Sequence, residues 1–273
     1  AHKIPVRLLT RRYLQVVLAP DRMDDVARAV EADAPINRDF SPILYYYHLR
    51  RWMRQFDVRF GLLEGALTVL LLLFLVRLRP VTLVVFASGF AASALEVVLL
   101  LGFQVLFGSL YHRVGLIVTV FMLGLAIGSF WMNRTLARQE PRPPGARRGP
   151  LAALGIAMAL VAACLPPFLI SLGSWTTGAA SNSACQLGIY AATLGIAVLT
   201  GLVFPLAAQL DFHEASSTAS RLYTADYLGA ALGALLVSTL LVPLTGVVGV
   251  CLMAAGLNLI GSGAVWLTRP KGA

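Results

Sequence analysis

The residues of this chain best suited to chemistry lie in one long apolar run, residues 81–108. Four small or polar residues recur there at helical spacing: Gly89, Ser93, Glu96 and Gln104. On a helix they occupy about a quarter of the circumference, so they form one polar stripe on an otherwise apolar surface. A carboxylate is costly to hold in hydrocarbon. Glu96 is therefore a candidate for a proton or cation path, or for a hydrogen bond to a neighbouring helix.

Other kinds of site find little support in the sequence. The three cysteines, Cys164, Cys185 and Cys251, lie far apart and form no CxxC pair, which argues against a metal site, an attached haem or a disulfide framework. The net charge is +9, yet the arginines flank apolar runs, where they meet lipid headgroups and set orientation. We therefore expect the lipid bilayer, and no nucleic acid, as the partner of these basic residues.

The elements that position the polar stripe are membrane spans. Hydrophobic residues make up 58% of the 273 residues and charged residues only 13%, well below the charged share of a soluble domain. The apolar runs lack the alternation of a transmembrane barrel, and they predict an all-α polytopic bundle of six or seven spans. The seven runs are residues 60–76, 81–108, 114–132, 151–172, 187–210, 227–244 and 247–267.

Two pairs of glycines, each pair four residues apart, predict close helix packing. Gly124 and Gly128 lie in one run, and Gly229 and Gly233 lie in another. Because glycine has no side chain, two glycines at this spacing let the backbone of a neighbouring helix approach closely. Asp226 precedes the second pair, and we interpret it as a charge at the start of a helix, near the membrane interface.

Residues 1–58 form a polar head that precedes a membrane domain, residues 59–273. Residues 13–18 have the β-branched pattern of a short strand, and a helix is expected between Asp21 and Pro35. One strand and one helix cannot bury a core, so these elements should complete a domain whose other strands lie upstream. The alternative is a small decoration that packs on the membrane bundle.

The motif NRDFSPILYYY is expected to join the head to the membrane domain. Its first half suits a turn that caps a helix, and its tyrosines suit the headgroup region of the bilayer. The alternative is a lid over an active site that lies outside this chain. The residues of this predicted joint are Asn37, Asp39, Pro42, Tyr45, Tyr46 and Tyr47.

Several separated motifs resemble one family of membrane proteins. In chain order they are RRYLQVVLAPDRMDDVARAVEADAPINRDFSPILYYYHL, FASGFAASALEVVLLLGFQVLFGSLYHRVGLIVTVFMLGLAIGS, GLVFPLAAQL and RLYTADYLGAALGALLVSTLLVPLTGVVG. The chain is similar to the C-terminal half of multi-pass proteins in which a spermidine synthase-like domain is fused to transmembrane helices. The resemblance implies that residues 1–58 are a small α/β remnant of a Rossmann-like aminopropyltransferase, which uses decarboxylated S-adenosylmethionine as cofactor.

The head lacks what such an enzyme needs. A nucleotide-type cofactor requires a glycine-rich turn between a strand and a helix, and residues 1–58 contain none. The acidic residues of the head follow one another along a single short helix and suit a solvated face. We therefore expect no cofactor in this chain, which should be inactive alone, and expect its partner to be an upstream transferase-like domain or a separate subunit.

Three functions remain compatible with the sequence: a membrane scaffold for a spermidine synthase-like transferase, a transporter-like bundle for a polyamine or other cation, and a structural subunit of a larger membrane complex. The arginine-rich loop 134–150 predicts a cytoplasmic loop of an integral protein of the bacterial inner membrane. The side of the membrane on which the head lies stays open, because the run 60–76 is short and contains Glu64.

Overall fold

The structure is a computed structural model that describes residues 15–17, 19–29, 37, 40, 42–45, 47–48, 51, 76–108, 113–138, 147–175, 179–210 and 215–268. The chain divides into two compact units, residues 1–37 and residues 38–273. The predicted domain boundary between residues 58 and 59 lies outside the described residues, as does the predicted run 60–76 except for its last residue.

The described part of the first unit includes a helix, α1, over Pro20–Ala29, as the sequence predicts. The predicted strand over residues 13–18 is wrong where it can be checked, because residues 15–17 are helical, and the described residues contain no strand. A strand needs a neighbouring strand to bond its backbone groups, whereas a helix bonds them within itself. The described part of this unit therefore does not show the expected α/β remnant.

The second unit is a bundle of long helices. Each helix arises from a predominantly apolar run. A helix forms all its backbone hydrogen bonds within itself, so a single helix can cross hydrocarbon, whereas a single strand cannot. The helices are α2 Pro80–Phe107, α3 Val114–Ala137, α4 Arg148–Trp175, α5 Ala179–Leu210, α6 Ala215–Leu236, a short π-helix Val237–Leu241, and α7 Val242–Leu267.

Helix α2 is the most buried helix of the bundle and has well-defined ends. It begins at Pro80, whose missing N–H is not needed in the first turn, after Arg79 in an extended conformation. It ends at Gly108, which has a φ of 73° and donates its N–H to the carbonyl oxygen of Gln104 at 2.9 Å. Helices α4, α5, α6 and α7 all pack against α2.

In the described part of the chain, five helical stretches are long and apolar enough to cross a membrane, and the fifth, Thr218–Leu267, has 50 residues. This stretch folds back on itself. Gly229 meets the carbonyl of Phe86, and Asn258 donates to the carbonyl of the adjacent Ala87 at 3.1 Å. A straight helix would separate Gly229 from Asn258 by about 40 Å, so α6 and α7 must run in opposite directions along α2.

The reversal between α6 and α7 occurs at Gly246, where the backbone is not helical. Gly246 has φ 68° and ψ 179°, a region that residues with a side chain rarely adopt. The predicted runs 227–244 and 247–267 leave residues 245–246 between them, so the sequence places the reversal where the structure has it. Pro243 lies in the first turn of α7, where a proline removes no hydrogen bond.

The helices alternate in direction, so their ends collect in two layers. One layer contains the starts of α2, α4 and α6 and the ends of α3, α5 and α7, and we name it the arginine end. Among the described residues of α2–α7 and their connections, the opposite end holds one arginine, Arg113, and Arg51 lies in the segment that follows Phe40. The arginines described at the arginine end are Arg77, Arg79, Arg134, Arg138, Arg147, Arg148 and Arg221.

Replacement of Gly229 by Leu should destabilise the bundle, because any side chain there collides with the backbone of Phe86. We expect a loss of about 1–3 kcal/mol, as for other overpacked interiors, measured as a lower midpoint of thermal unfolding in detergent. The control is Ala231→Leu on the exposed face of the same helix, which should leave the midpoint nearly unchanged. Equal midpoints for both variants would contradict close packing of α6 on α2.

Candidate functional site

A polar cleft lies between α3, α5 and α6 near the arginine end. Its volume is about 360 Å³. Two of its residues come from α3, four from α5 and one from α6, so the cleft exists only when these three helices are assembled. The lining residues are Ser129, Asn133, Phe204, Pro205, Ala208, Gln209 and Tyr223.

Two interactions hold the walls of the cleft together. Ser129 donates its hydroxyl to the carbonyl oxygen of Gly201 at 3.1 Å, which fixes α3 against α5. The ring of Tyr223 lies 4.5 Å from the ring of Phe204, which fixes α6 against α5. The Tyr223 ring also stacks on Tyr227 at 6.0 Å, so an aromatic rim borders the cleft on the α6 side.

The chemistry of this lining is that of a binding site. Asn133 and Gln209 each offer an amide that donates and accepts, and Tyr223 adds a phenol. The lining contains no charged side chain and no pair of a nucleophile with a base. Across the described residues there is also no group of His, Cys, Asp and Glu that could hold a metal ion. The cleft suits a polar, uncharged group.

The predicted polar stripe of α2 passes through different environments. Gly89 is buried against α6, Ser93 and Glu96 are partly buried, and Gln104 is exposed. The structure gives Glu96 no hydrogen bond or ion pair to another described residue. The two interpretations of Glu96, an ion path or an interhelical bond, therefore both remain hypotheses.

Asp226 is a second intramembrane carboxylate, and the sequence interpretation of it is wrong. Helix α6 begins at Ala215, so Asp226 lies three turns inside the helix and not at its start. A Cβ on Gly89 would lie 2.6 Å from the carbonyl oxygen of Asp226 and 2.7 Å from its carboxylate. The glycine thus makes room for an acid between α2 and α6. The sequence could have indicated this position, since Asp226 lies three residues before Gly229 and therefore on the same face of the helix.

The four predicted packing glycines are all buried against backbone of a neighbouring helix. Gly124 and Gly128 of α3 face α5, and Gly229 and Gly233 of α6 face α2. In each case a Cβ would collide with a main-chain carbonyl. The carbonyls belong to Leu194 and Val198 for the pair on α3, and to Phe86 and Phe90 for the pair on α6.

The joint motif meets the bundle through a residue that the sequence analysis missed, Phe40. Because Gly246 breaks the helix, Val247 donates its N–H outside the helix, to the carbonyl oxygen of Phe40 at 3.0 Å. The Phe40 side chain packs against the core of the bundle. Of the predicted joint residues, Asn37, Tyr45 and Tyr47 are exposed, Pro42 is half-buried, and Asp39 and Tyr46 lie outside the described residues.

A buried amide inside the bundle also escaped the sequence analysis. Asn258 of α7 is 1% exposed and donates to the carbonyls of Ala87 and Ala254, at 3.1 and 3.0 Å. Its Oδ1 and the Ser88 hydroxyl have no hydrogen-bond partner among the described residues. Asn258 links α7 to α2 in the bundle interior, which is a structural role for an intramembrane polar group.

Comparison with known proteins identifies no relative of this chain: no protein-family model, no curated protein and no solved structure matches it. Its function must therefore be argued from the residues and their geometry.

The cleft should be open to water, and cysteine labelling can test this. In a variant without native cysteines, Ala208→Cys should react with a water-soluble thiol reagent, because Ala208 lines the cleft. Ala207→Cys, one residue earlier and fully buried, is the control and should stay unreactive. If the two cysteines react at the same rate, the cleft is not a distinct water-filled site.

Proposed function

We propose that this chain is the membrane-embedded part of a spermidine synthase-like protein, and that it anchors a transferase-like domain to the bilayer. The cofactor site, for decarboxylated S-adenosylmethionine, lies outside this chain, so the chain alone carries out no aminopropyl transfer. The proposal combines the motifs of the sequence with one structural observation, the bond between Phe40 and the broken helix.

The Phe40 contact supports anchoring because it satisfies the bundle's own backbone. At the break, the N–H of Val247 lies in the bundle and would be costly to leave without a partner. The segment that follows the first unit supplies that partner through its main chain, so the contact does not depend on the side chain at position 40. The joint is therefore part of the bundle's architecture, as a scaffold for an extramembrane domain requires.

The sidedness of the anchor follows from the positions of the arginines. Loops rich in arginine stay in the cytoplasm, so we assign the arginine end to the cytoplasmic face of a bacterial inner membrane. The break at Gly246 lies at the opposite end, and Phe40 lies there with it. Phe40 and Arg77 thus lie at opposite ends of the described bundle.

A transporter-like bundle for a polyamine or other cation is the second candidate function. The observation that favours it is the presence of Glu96 and Asp226 within two adjacent membrane helices, where carboxylates are rare and commonly functional. A structural subunit of a larger membrane complex is the third interpretation. It predicts that the chain copurifies in fixed ratio with other subunits.

The anchoring contact can be removed by one substitution, Val247→Pro. Proline lacks the N–H that bonds Phe40, and its ring suits the first residue after the break. We expect faster proteolytic cleavage between residues 41 and 59, by about five-fold for the loss of about 1 kcal/mol. Val247→Ala is the matched control, since it keeps the N–H. Unchanged cleavage in the proline variant would exclude this bond as the anchor.

The assigned orientation predicts opposite accessibility for cysteines at the two ends of the bundle. In intact cells, Ser183→Cys at the start of α5 should react with an impermeant thiol reagent, whereas Ala137→Cys at the end of α3 should react only after the membrane is opened. Both positions are exposed. Reaction of Ala137→Cys from outside would reverse the orientation.

A further inference from the structure

Helices α3 and α6 share a sequence pattern at corresponding positions. Residues 123–128 are LGLAIG and residues 228–233 are LGAALG, a shift of 105 positions (228 − 123). Under the same shift Thr119 corresponds to Thr224. Each of these threonines donates its hydroxyl to the carbonyl four residues earlier, at 2.7 and 2.8 Å. Seven of the ten positions from Thr119 to Gly128 match their counterparts from Thr224 to Gly233 in being buried, half-buried or exposed.

The partners of α3 and α6 correspond as well. The glycines of α3 meet the carbonyls of Leu194 and Val198 on α5, and those of α6 meet the carbonyls of Phe86 and Phe90 on α2. Both carbonyl pairs are four residues apart, and one shift relates them (194 − 86 = 198 − 90 = 108). The pairing of α5 with α3 therefore repeats as the pairing of α2 with α6.

The two halves are related by inversion. Within each pair the helices are parallel, but α2 and α5 run in opposite directions through the bundle. The half α2–α4 therefore corresponds to the half α5–α7, and the two halves have opposite orientations in the membrane. The contact between α4 and α7 then joins equivalent helices across a pseudo-twofold axis in the membrane plane. Inverted repeats of this kind place ligand sites at the interface of the halves.

This symmetry assigns a counterpart to the polar cleft at the opposite end of the bundle. Phe204 and Ala208 of the cleft correspond to Glu96 and Leu100 of α2 under the shift of 108. Asn133 of the cleft corresponds to Ser238 under the shift of 105. We propose that α2–α4 and α5–α7 are inverted repeats, and that the groove lined by Glu96, Leu100 and Ser238 binds a protonated alkylamine.

The composition of this groove determines its ligand class. Glu96 and Leu100 are partly buried and Ser238 is exposed, which matches the partial exposure of their counterparts in the cleft. One carboxylate among apolar side chains complements a cation with a hydrocarbon stem, since the charge pairs with Glu96 while the methylenes contact residues such as Leu100. A hard divalent metal ion needs about six oxygen ligands, which this set does not supply.

The inference deepens the second candidate function by naming the ligand class and its contact residue. It requires binding and does not require transport. A binding test can therefore succeed or fail independently of a transport assay, and of the anchoring that Val247→Pro tests.

The test is protection of a cysteine in the groove, Leu100→Cys, in the detergent-solubilised full chain without native cysteines. The cysteine should react with a water-soluble thiol reagent, and putrescine should slow the reaction about ten-fold at about ten times its Kd. Sodium chloride at equal ionic strength should not slow it. Ser183→Cys, at the same end of the bundle but outside the groove, should react at the same rate with and without putrescine.

The role of Glu96 is tested by adding Glu96→Gln to the Leu100→Cys protein, which should abolish protection by putrescine. Glu96→Gln in the Ala208→Cys protein reports whether the bundle remains folded, because the cleft cysteine should then react as before. An unreactive Leu100→Cys would overturn the groove. The amine site would be excluded if putrescine did not slow the reaction of Leu100→Cys, or if it still slowed that reaction in folded Glu96→Gln protein.

Discussion

The bundle depends on backbone-to-backbone contact between parallel helices, made possible by glycine. In lipid the hydrophobic effect gives apolar side chains no preference for one another, so helix association relies on close packing and on interhelical hydrogen bonds. At Gly229 and Gly124 the chain removes the side chain and brings one helix against the main-chain carbonyls of the next. The Ser129 bond adds to the pairing of α3 with α5, and the Asn258 bond joins α7 to α2.

These contacts also determine where polar groups can exist inside the membrane. Gly89 opens a space that accommodates Asp226, and the close pair of α3 and α5 creates a wall from which the cleft residues project. Glu96, near the middle of α2, shares with Asp226, Asn133 and Gln209 a side chain to which no described residue bonds. The polar groups of the bundle thus fall into two kinds, those that hold helices together and those that remain available to a ligand.

The sequence predicted the bundle well because apolar runs and spans coincide in lipid, where helices must satisfy their own backbone. Helix α2, Pro80–Phe107, illustrates this, because its limits lie within one residue of the predicted run 81–108. What escaped prediction depends on contacts distant in sequence. The break at Gly246 falls in the gap between the predicted runs 227–244 and 247–267, but the Phe40 contact at that break joins two segments far apart in the chain. The cleft needs three helices at once, so no single run indicates it.

The pairing of α2 with α6 has a consequence for the order of events during synthesis. Phe107, the last residue of α2, and Ala215, the first residue of α6, are 108 positions apart (215 − 107). At about 5–20 residues per second, α2 precedes its partner by about 5–20 s. During that interval α6 is not yet present beside Gly89 and Glu96 of α2. The most buried helix of the mature bundle is therefore the one that waits longest for its partner, and a factor that shields α2 in the membrane would have several seconds in which to act.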